Sequence, residues 1–216
     1  MSEPMTMPPL VLVVDDDDAI RKSVAFLLSS VRIESRIYPS AEDFLRRLPD
    51  LPADRPGCIL LDVRMPGMSG LELQRRLNEE RCAWPVLIVT GHGDIPMAVA
   101  AMKAGAEDFI EKPYRDQTLL DAINAAIRKC RERQAEGAER RAVRDRFARL
   151  TRREREVLLA VVAGRQNKTI AIDLDISVKT VEAHRHTGME RMAAGSAAEL
   201  SRMFALAGLP DPEDAK

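Results

Sequence analysis

The 216 residues are 45% apolar and 31% charged, with 33 basic and 34 acidic side chains leaving a net charge of −1. Such a chain is a soluble globular protein with room for two modest domains. No uninterrupted apolar run approaches the roughly 18 residues that a membrane helix needs. No basic residue precedes Arg21, so no secretory signal is expected and the chain is read as cytoplasmic, without a membrane partner. Cys58, Cys82 and Cys130 are odd in number and widely spaced. They give neither a disulfide framework nor a zinc motif and are read as structural thiols in a reducing compartment.

The small net charge conceals a gradient. Residues 1–128 carry 15 basic and 20 acidic side chains, residues 129–150 carry 8 and 4, and residues 151–205 carry 9 and 7, for balances of −5, +4 and +2. Acid in front and base behind point to an anionic partner for the rear half.

The front half alternates short apolar strands with amphipathic helical stretches, the pattern of a doubly wound α/β domain. In chain order the expected elements are a strand over 10–14, a helix over 18–30, a strand over 35–38, a helix over 40–48, a strand over 58–61 and a helix over 70–80. A strand over 86–90, a helix over 96–104, a strand over 108–110 and a helix from Gln117 onward complete them. Ser40 with Asp43 resembles a capping box, and Met65-Pro66-Gly67 marks a loop just past Asp62. Leu120, Ile123, Ile127 and Cys130 give the last helix an apolar stripe. Beyond it lies a charged connector with a candidate break at Gly137.

Polar residues stand at the C-terminal ends of these strands. Asp15 and Asp16 follow the first, Asp62 the third, Thr90 ends the fourth, and Lys112 follows the fifth. Strand carboxyl ends of an open parallel sheet converge on one crevice, so these groups share a site. Two carboxylates about 4 Å apart repel by roughly 4 kcal/mol at an effective dielectric near 20, so the cluster wants a cation. Magnesium suits it, taking one or two carboxylates and leaving room for a phosphate oxygen. Asp62 is then a candidate nucleophile toward phosphorus, with Lys112 neutralising developing charge and Thr90 donating to a phosphoryl oxygen.

Val14-Asp-Asp16, Leu61-Asp-Val-Arg-Met-Pro-Gly-Met-Ser-Gly70, Val89-Thr-Gly-His-Gly-Asp94 and Asp108-Phe-Ile-Glu-Lys-Pro113 resemble the receiver domain of bacterial two-component response regulators. The resemblance implies a five-stranded flavodoxin-like fold in which Asp62 accepts phosphate from a sensor histidine kinase. It implies that Asp15, Asp16, Asp62 and the backbone carbonyl of Arg64 hold Mg2+, and that Thr90 and Lys112 contact the acyl phosphate. Thr90 and Phe109 would reorient together, and the face of the fourth helix, fifth strand and fifth helix would then dimerise. Arg64 and His92 flank the site and could tune water access.

The rear segment reads as all-helical. Thr151-Arg-Arg-Glu154 is a capping box whose helix buries Val157, Leu158, Val161 and Val162 and is closed by Gly164. Asn167 is expected to cap a short helix burying Ile170, Ala171 and Leu174. Ser177 is expected to cap a longer one burying Val178, Val181, Met189 and Met192, and Ser196 opens a last helix with Leu200, Met203 and Phe204. Two helices joined by a tight turn, the second longer, make a helix-turn-helix. Leu150-Thr-Arg-Arg-Glu154, Asn167-Lys-Thr-Ile-Ala171, Ile176-Ser-Val-Lys-Thr-Val-Glu182 and His184-Arg185 resemble the LuxR-type output domain.

Together the motifs place the chain closest to the FixJ-like branch of response regulators. The expected organisation is a receiver over 1–128, a helical linker over 129–148, a LuxR-type DNA-binding domain over 149–210 and an acidic tail over 211–216. By the same resemblance Glu182, Ala183 and His186 face base edges of double-stranded DNA, while Lys168, Lys179, Thr180 and Arg185 approach phosphates. His184 is read as a packed or capping side chain. Glu190 stands where relatives often carry Lys. A homodimer forms on phosphorylation, and RNA polymerase is a further candidate partner.

Two other classes compete with a phosphorylation-switched transcription regulator. A small-substrate phosphatase with an Asp nucleophile would carry a second acid two residues later, where this chain has Arg64. The chain is therefore read as a phosphoacceptor and not a dedicated enzyme. A phosphorylation-independent DNA binder or a protein-binding phosphate sink is the remaining alternative.

Overall fold

The computed structural model describes residues 7–210 apart from 53, 92 and 93, so His92 and the acidic tail lie outside the described residues. The chain divides into two compact units, Met1–Gln134 and Ala135–Lys216.

In the first unit five strands, β1 (Leu10–Val14), β2 (Glu34–Tyr38), β3 (Gly57–Leu61), β4 (Val86–Thr90) and β5 (Asp108–Glu111), form one parallel sheet in the order β2-β1-β3-β4-β5. Between them run α1 (Asp18–Ser30), α2 (Ala41–Arg47), α3 (Gly70–Glu79) and α4 (Ile95–Lys103), and α5 (Asp116–Ala148) follows β5. Each burial pattern follows from the two-residue period of a strand. Leu10, Leu12, Val14, Ile59, Leu61, Val86 and Ile88 face one layer, with Phe44 of α2, Leu73 and Leu77 of α3 and Ala101 of α4. Val11, Val13, Cys58, Leu60, Leu87 and Val89 face the other, against Val24 and Leu28 of α1 and Leu119, Ile123 and Ile127 of α5. Buried on both faces, β1, β3 and β4 read as continuous apolar runs, as inner strands of a parallel sheet must. β2 and β5 are edges and carry exposed Arg36, Asp108 and Glu111.

Helix starts follow local chemistry. The side chains of Asp17, Ser40, Ser69 and Asp94 each accept from a backbone amide in the first turn of α1, α2, α3 and α4. Sheet order reverses between β1 and β3, so the crevice above their carboxyl ends is the topological switch point.

Gly137 does not break α5, which runs continuously from Asp116 to Ala148. The Ala-, Glu- and Arg-rich sequence on either side propagates helix strongly enough to absorb the roughly 1 kcal/mol that one glycine costs. Nor is the whole segment solvated: Val143 and Phe147 are buried in the second unit's core.

That unit adds α6 (Arg152–Val162), α7 (Asn167–Asp173), α8 (Val178–Met192) and α9 (Ala197–Ala207). Its core joins Phe147, Val157, Leu158, Ile170, Val181, Met192, Leu200 and Phe204, with the rings of Phe147 and Phe204 edge to face at 5.3 Å. Thr151 opens α6 with a complete capping box. Gly164, at φ 72°, supplies the left-handed residue past its end. Two expectations are corrected. Val178 is 38% exposed although it shares the stripe of Val181 and Met192, because as the first residue of α8 it stands at the edge of the core, and Ile176 of the turn packs on the core instead. Asn167 is not the cap of α7; Gln166 holds that position with no side-chain cap bond, and Asn167 Oδ1 accepts from Arg185.

Candidate functional site

The crevice assembles what the strand ends deliver. Main-chain bonds fix the registry: the Asp62 amide donates to the Val14 carbonyl at 2.9 Å, and the Lys112 amide donates to the Thr90 carbonyl at 2.8 Å. Asp15, Asp62 and Thr90 are buried at 4%, 7% and 0% exposure, whereas Asp16 is exposed. The Lys112 ammonium donates to Asp15 Oδ2 at 2.6 Å and to Asp62 Oδ1 at 3.3 Å. The Arg64 amide donates to Asp62 Oδ2 at 3.1 Å, and the Asp17 amide donates to Asp15 Oδ1 at 2.9 Å. Behind them the buried Arg21 guanidinium donates to the Asp15 carbonyl at 2.7 Å and pairs with Asp18 at 3.0 Å.

Asp15, Asp16 and Asp62 each present an oxygen within 4.8 Å of the others. Three carboxylates thus face one ammonium. Burial, reinforced by the charge of Asp15, pushes the Asp62 carboxyl above the usual carboxylate range, although Lys112 pulls the other way. Burial also works against the Lys112 ammonium, but its hydrogen bond to Asp15 and the charges of Asp15 and Asp62 outweigh burial and raise it. Residual negative charge and a donor set of oxygen alone suit a hard divalent cation. Phe109 is half-buried on β5, its backbone in register with Ile88 of β4.

In the second unit α7, a tight turn with Asp175 at φ 51°, and α8 form the helix-turn-helix. Ser177 caps α8 by accepting from the Thr180 amide at 3.0 Å. One face of α8 is seated on α6: Val181 and Met192 are fully buried, and a Cβ at Gly188 would stand 3.1 Å from Leu158. The opposite face presents Lys179, Glu182, Ala183, His186 and Glu190, all exposed; Lys168 is exposed on α7. His186 Nε2 lies 3.8 Å from Glu190 Oε1. Thr180, His184 and Arg185 are half-buried.

Sequence reasoning missed the bonds that hold these groups. The Lys112–Asp15 bridge and the Arg185–Asn167 bond join residues 97 and 18 positions apart, and no local pattern announces them; the Arg21 brace is local, its pair with Asp18 having the three-residue spacing of a helix. Glu154 has a signal in its capping box, yet the box does not reveal its second partner. Glu154 Oε2 accepts from the Thr151 amide at 2.9 Å and from Arg191 at 2.6 Å, tying the last turn of α8 to the first turn of α6. Burial opposes the Glu154 charge, but Thr151 and Arg191 overcome it and hold the carboxyl below its ordinary range. A depressed folded-state value means stability that is complete above the ordinary Glu range and drains away as pH falls through the lower folded value. Glu154→Gln is therefore expected to flatten the acid limb of a stability-against-pH curve for the second unit, leaving the limb above neutrality unchanged. Chemical denaturation between pH 3 and 8 checks this, and parallel curves would refute it.

A buried acidic crevice at the switch point of one unit, joined to a helix-turn-helix in the other, defines a class: transcriptional response regulators, in which a receiver is coupled to a DNA-binding output. The model of the response regulator receiver domain matches residues 11–124, and that of the luxR family of bacterial regulatory proteins matches residues 148–204. The chain belongs to this family, on its FixJ-like branch. It is 47% identical over 212 residues to the transcriptional regulatory protein FixJ of Azorhizobium caulinodans, covering 98% of each chain. It is 48% identical over 198 residues to FixJ of Rhizobium meliloti, covering 92% of this chain and 95% of that one. Among solved structures the response regulator StyR matches with a TM-score of 0.80 at 40% identity, over 92% of this chain and 98% of the other. Full-length FixJ from B. japonicum matches at 0.57 and 43% identity, over 92% and 97%. Among the described residues no helix is long and apolar enough to cross a membrane.

Proposed function

We propose that Asp62 takes a phosphoryl group from the phosphohistidine of a sensor kinase and that the acyl phosphate switches dimerisation and DNA binding. One observation carries this reading: Lys112 bridges Asp15 and Asp62 at the head of a buried crevice where negative charge remains in excess. A carboxylate oxygen of Asp62 attacks phosphorus; the phosphorus–nitrogen bond breaks, and its electron pair and a proton leave with the imidazole. Lys112 balances charge on the transferring oxygens, and Thr90 donates to one of them. Asp15, Asp16, Asp62 and the Arg64 carbonyl would hold Mg2+, which supplies electrostatic stabilisation of the phosphoryl oxygens. The donor set suits magnesium through its all-oxygen character.

The acyl phosphate carries about −1.5 to −2 charges where the Asp62 carboxylate carried one, and its oxygens draw Thr90 and Lys112 inward and leave space for Phe109 to follow. Exposed Ile95, Val99 and Met102 on α4 give the face of α4, β5 and α5 an apolar surface for a second copy. A two-fold dimer sets two α8 helices on half-sites roughly one helical turn apart. Glu182, Ala183 and His186 then face base edges, and Lys168, Lys179 and Thr180 approach phosphates. RNA polymerase is the partner through which bound DNA changes transcription, and the cytoplasm is where kinase and chromosome meet.

Capture of genomic fragments by the full chain with magnesium, with and without beryllium fluoride, tests the switch. A shared two-fold motif enriched only with the phosphoryl mimic is expected. Equal enrichment in both states would make binding constitutive, and enrichment in neither would favour the protein-binding alternative. On an enriched fragment, Lys179→Ala should lower the slope of log K against log salt by about 0.9, the signature of one lost phosphate contact. An unchanged slope removes Lys179 from the phosphate set.

A further inference from the structure

Arg185 lies next to the exposed stripe of α8, and its sequence neighbourhood reads as phosphate-binding. Its place in the fold gives it a bond that the sequence does not announce. Unlike Lys168 and Lys179, it is half-buried, and its Nη1 donates to Asn167 Oδ1 at 2.9 Å. Asn167 is the first residue of α7, and Arg185 is at the middle of α8, which has 15 residues. The bond therefore crosses the helix-turn-helix at its open side, away from the Ile170, Ala171 and Val181 contacts that close the core. Both residues border one open groove of about 670 Å3, together with Glu182 and His186.

We infer that Arg185 is a positioning residue: it fixes the angle of the reading helix α8 against α7, and so sets where Glu182, Ala183 and His186 meet the bases. This refines the DNA-binding reading and rests on it. Three features support it. α7 has no side-chain cap, so among the described residues the bond from Arg185 to Asn167 is the side-chain hydrogen bond at that end, beside the apolar seat of Ile170. The far end of α8 is fixed separately, by Arg191 on Glu154 and by Arg146, whose Nη1 donates to the Met192 carbonyl at 3.3 Å. Between the turn, whose Ile176 amide donates to the Ala171 carbonyl at 3.0 Å, and that far end, Arg185 is the side chain that ties the middle of α8 to the start of α7. A fork of fixed donors suits such a brace better than a flexible ammonium does.

The test separates positioning from charge. The full chain, with magnesium and beryllium fluoride, is titrated against a duplex that the wild type selects from a random pool and against a scrambled duplex of the same length. Arg185→Ala and Asn167→Ala are each expected to lower the ratio of selected to scrambled affinity by about 10- to 100-fold, the scale of one lost charged hydrogen bond. Asn167 carries no charge, so for Asn167→Ala the salt slope on the selected duplex should stay at the wild-type value. The double variant should cost no more than either single one, because the two residues act through one bond. Arg185→Lys, which keeps the charge and loses the fork, should behave as Arg185→Ala in the ratio. The inference is overturned if Asn167→Ala keeps the wild-type ratio while Arg185→Ala lowers the salt slope by about 0.9, which is a phosphate contact. It falls together with the DNA-binding reading if the wild type selects no duplex, so the two failures are distinguishable. Far-ultraviolet circular dichroism of each variant confirms that the helices persist; a variant that unfolds is replaced by Asn167→Ser, which shortens the acceptor without emptying the position.

Discussion

Asp62→Asn is expected to abolish phosphorylation outright. Incubated with a phosphorylated kinase domain or with acetyl phosphate, the wild type should acquire a label released by hydroxylamine, as acyl phosphates are, and the variant should acquire none. The amide has the same shape, and its oxygen can still accept from the Arg64 amide, which now donates to Asp62 Oδ2. What disappears is the nucleophilic carboxylate. Stability should not fall with it: Asp62 is one of three crowded carboxylates, and burial already disfavours its charge. The variant's melting temperature should equal or exceed that of the wild type in magnesium-free buffer. Label at the wild-type level in the variant would move the acceptor to another residue and sink the assignment. A variant that still gains DNA affinity on treatment with acetyl phosphate would sink the switch.

The strands were legible because a parallel sheet buried on both faces demands unbroken apolar runs, and Leu10–Val14, Gly57–Leu61 and Val86–Thr90 supply them. The acidic crevice was legible for a related reason. A polar residue directly after such a run has one place to go, the open end of the sheet. Less could be read where a residue's partner is distant. Lys112 was expected near Asp62, yet its shorter bond is to Asp15, 97 residues away. The bond from Arg185 to Asn167 is equally hidden, because charge is visible in a sequence and a hydrogen-bond partner 18 residues away is not. Gly137 is a candidate break in the sequence because glycine is a weak helix former, but helix formation is decided over many residues, and the flanking turns prevail. Val178 shares the face of Val181 and Met192, yet it is exposed, because the period gives a face of the helix and not how far along it the core extends.

A second large effect is expected from one methyl group. Gly70 begins α3, its amide donating to the Val63 carbonyl at 2.9 Å, while the preceding Ser69 caps the helix. A Cβ on Gly70 would run into the carbonyl oxygen of Asp62 and would lie 2.9 Å from its carbonyl carbon and 3.0 Å from the Cα of Val63. These are main-chain atoms and no side chain can swing aside, so Gly70→Ala must lift α3 or tilt the Asp62 peptide. Overpacking of this kind costs about 1–3 kcal/mol, and rigid backbone neighbours place it at the upper end. The same tilt displaces the Arg64 amide from Asp62 Oδ2, and a nucleophile misplaced by about 1 Å can lose about 100-fold in rate. Gly137→Ala is the matched control. Its Cβ would meet only the Arg141 guanidinium, at 3.6 Å. An alanine inside α5 should therefore stabilise the helix by up to about 1 kcal/mol. Urea denaturation should thus move in opposite directions for the two glycines, with acyl-phosphate formation slowed only in Gly70→Ala. If Gly70→Ala unfolds at the wild-type midpoint and labels at the wild-type rate, α3 does not hold Asp62 in place through this contact.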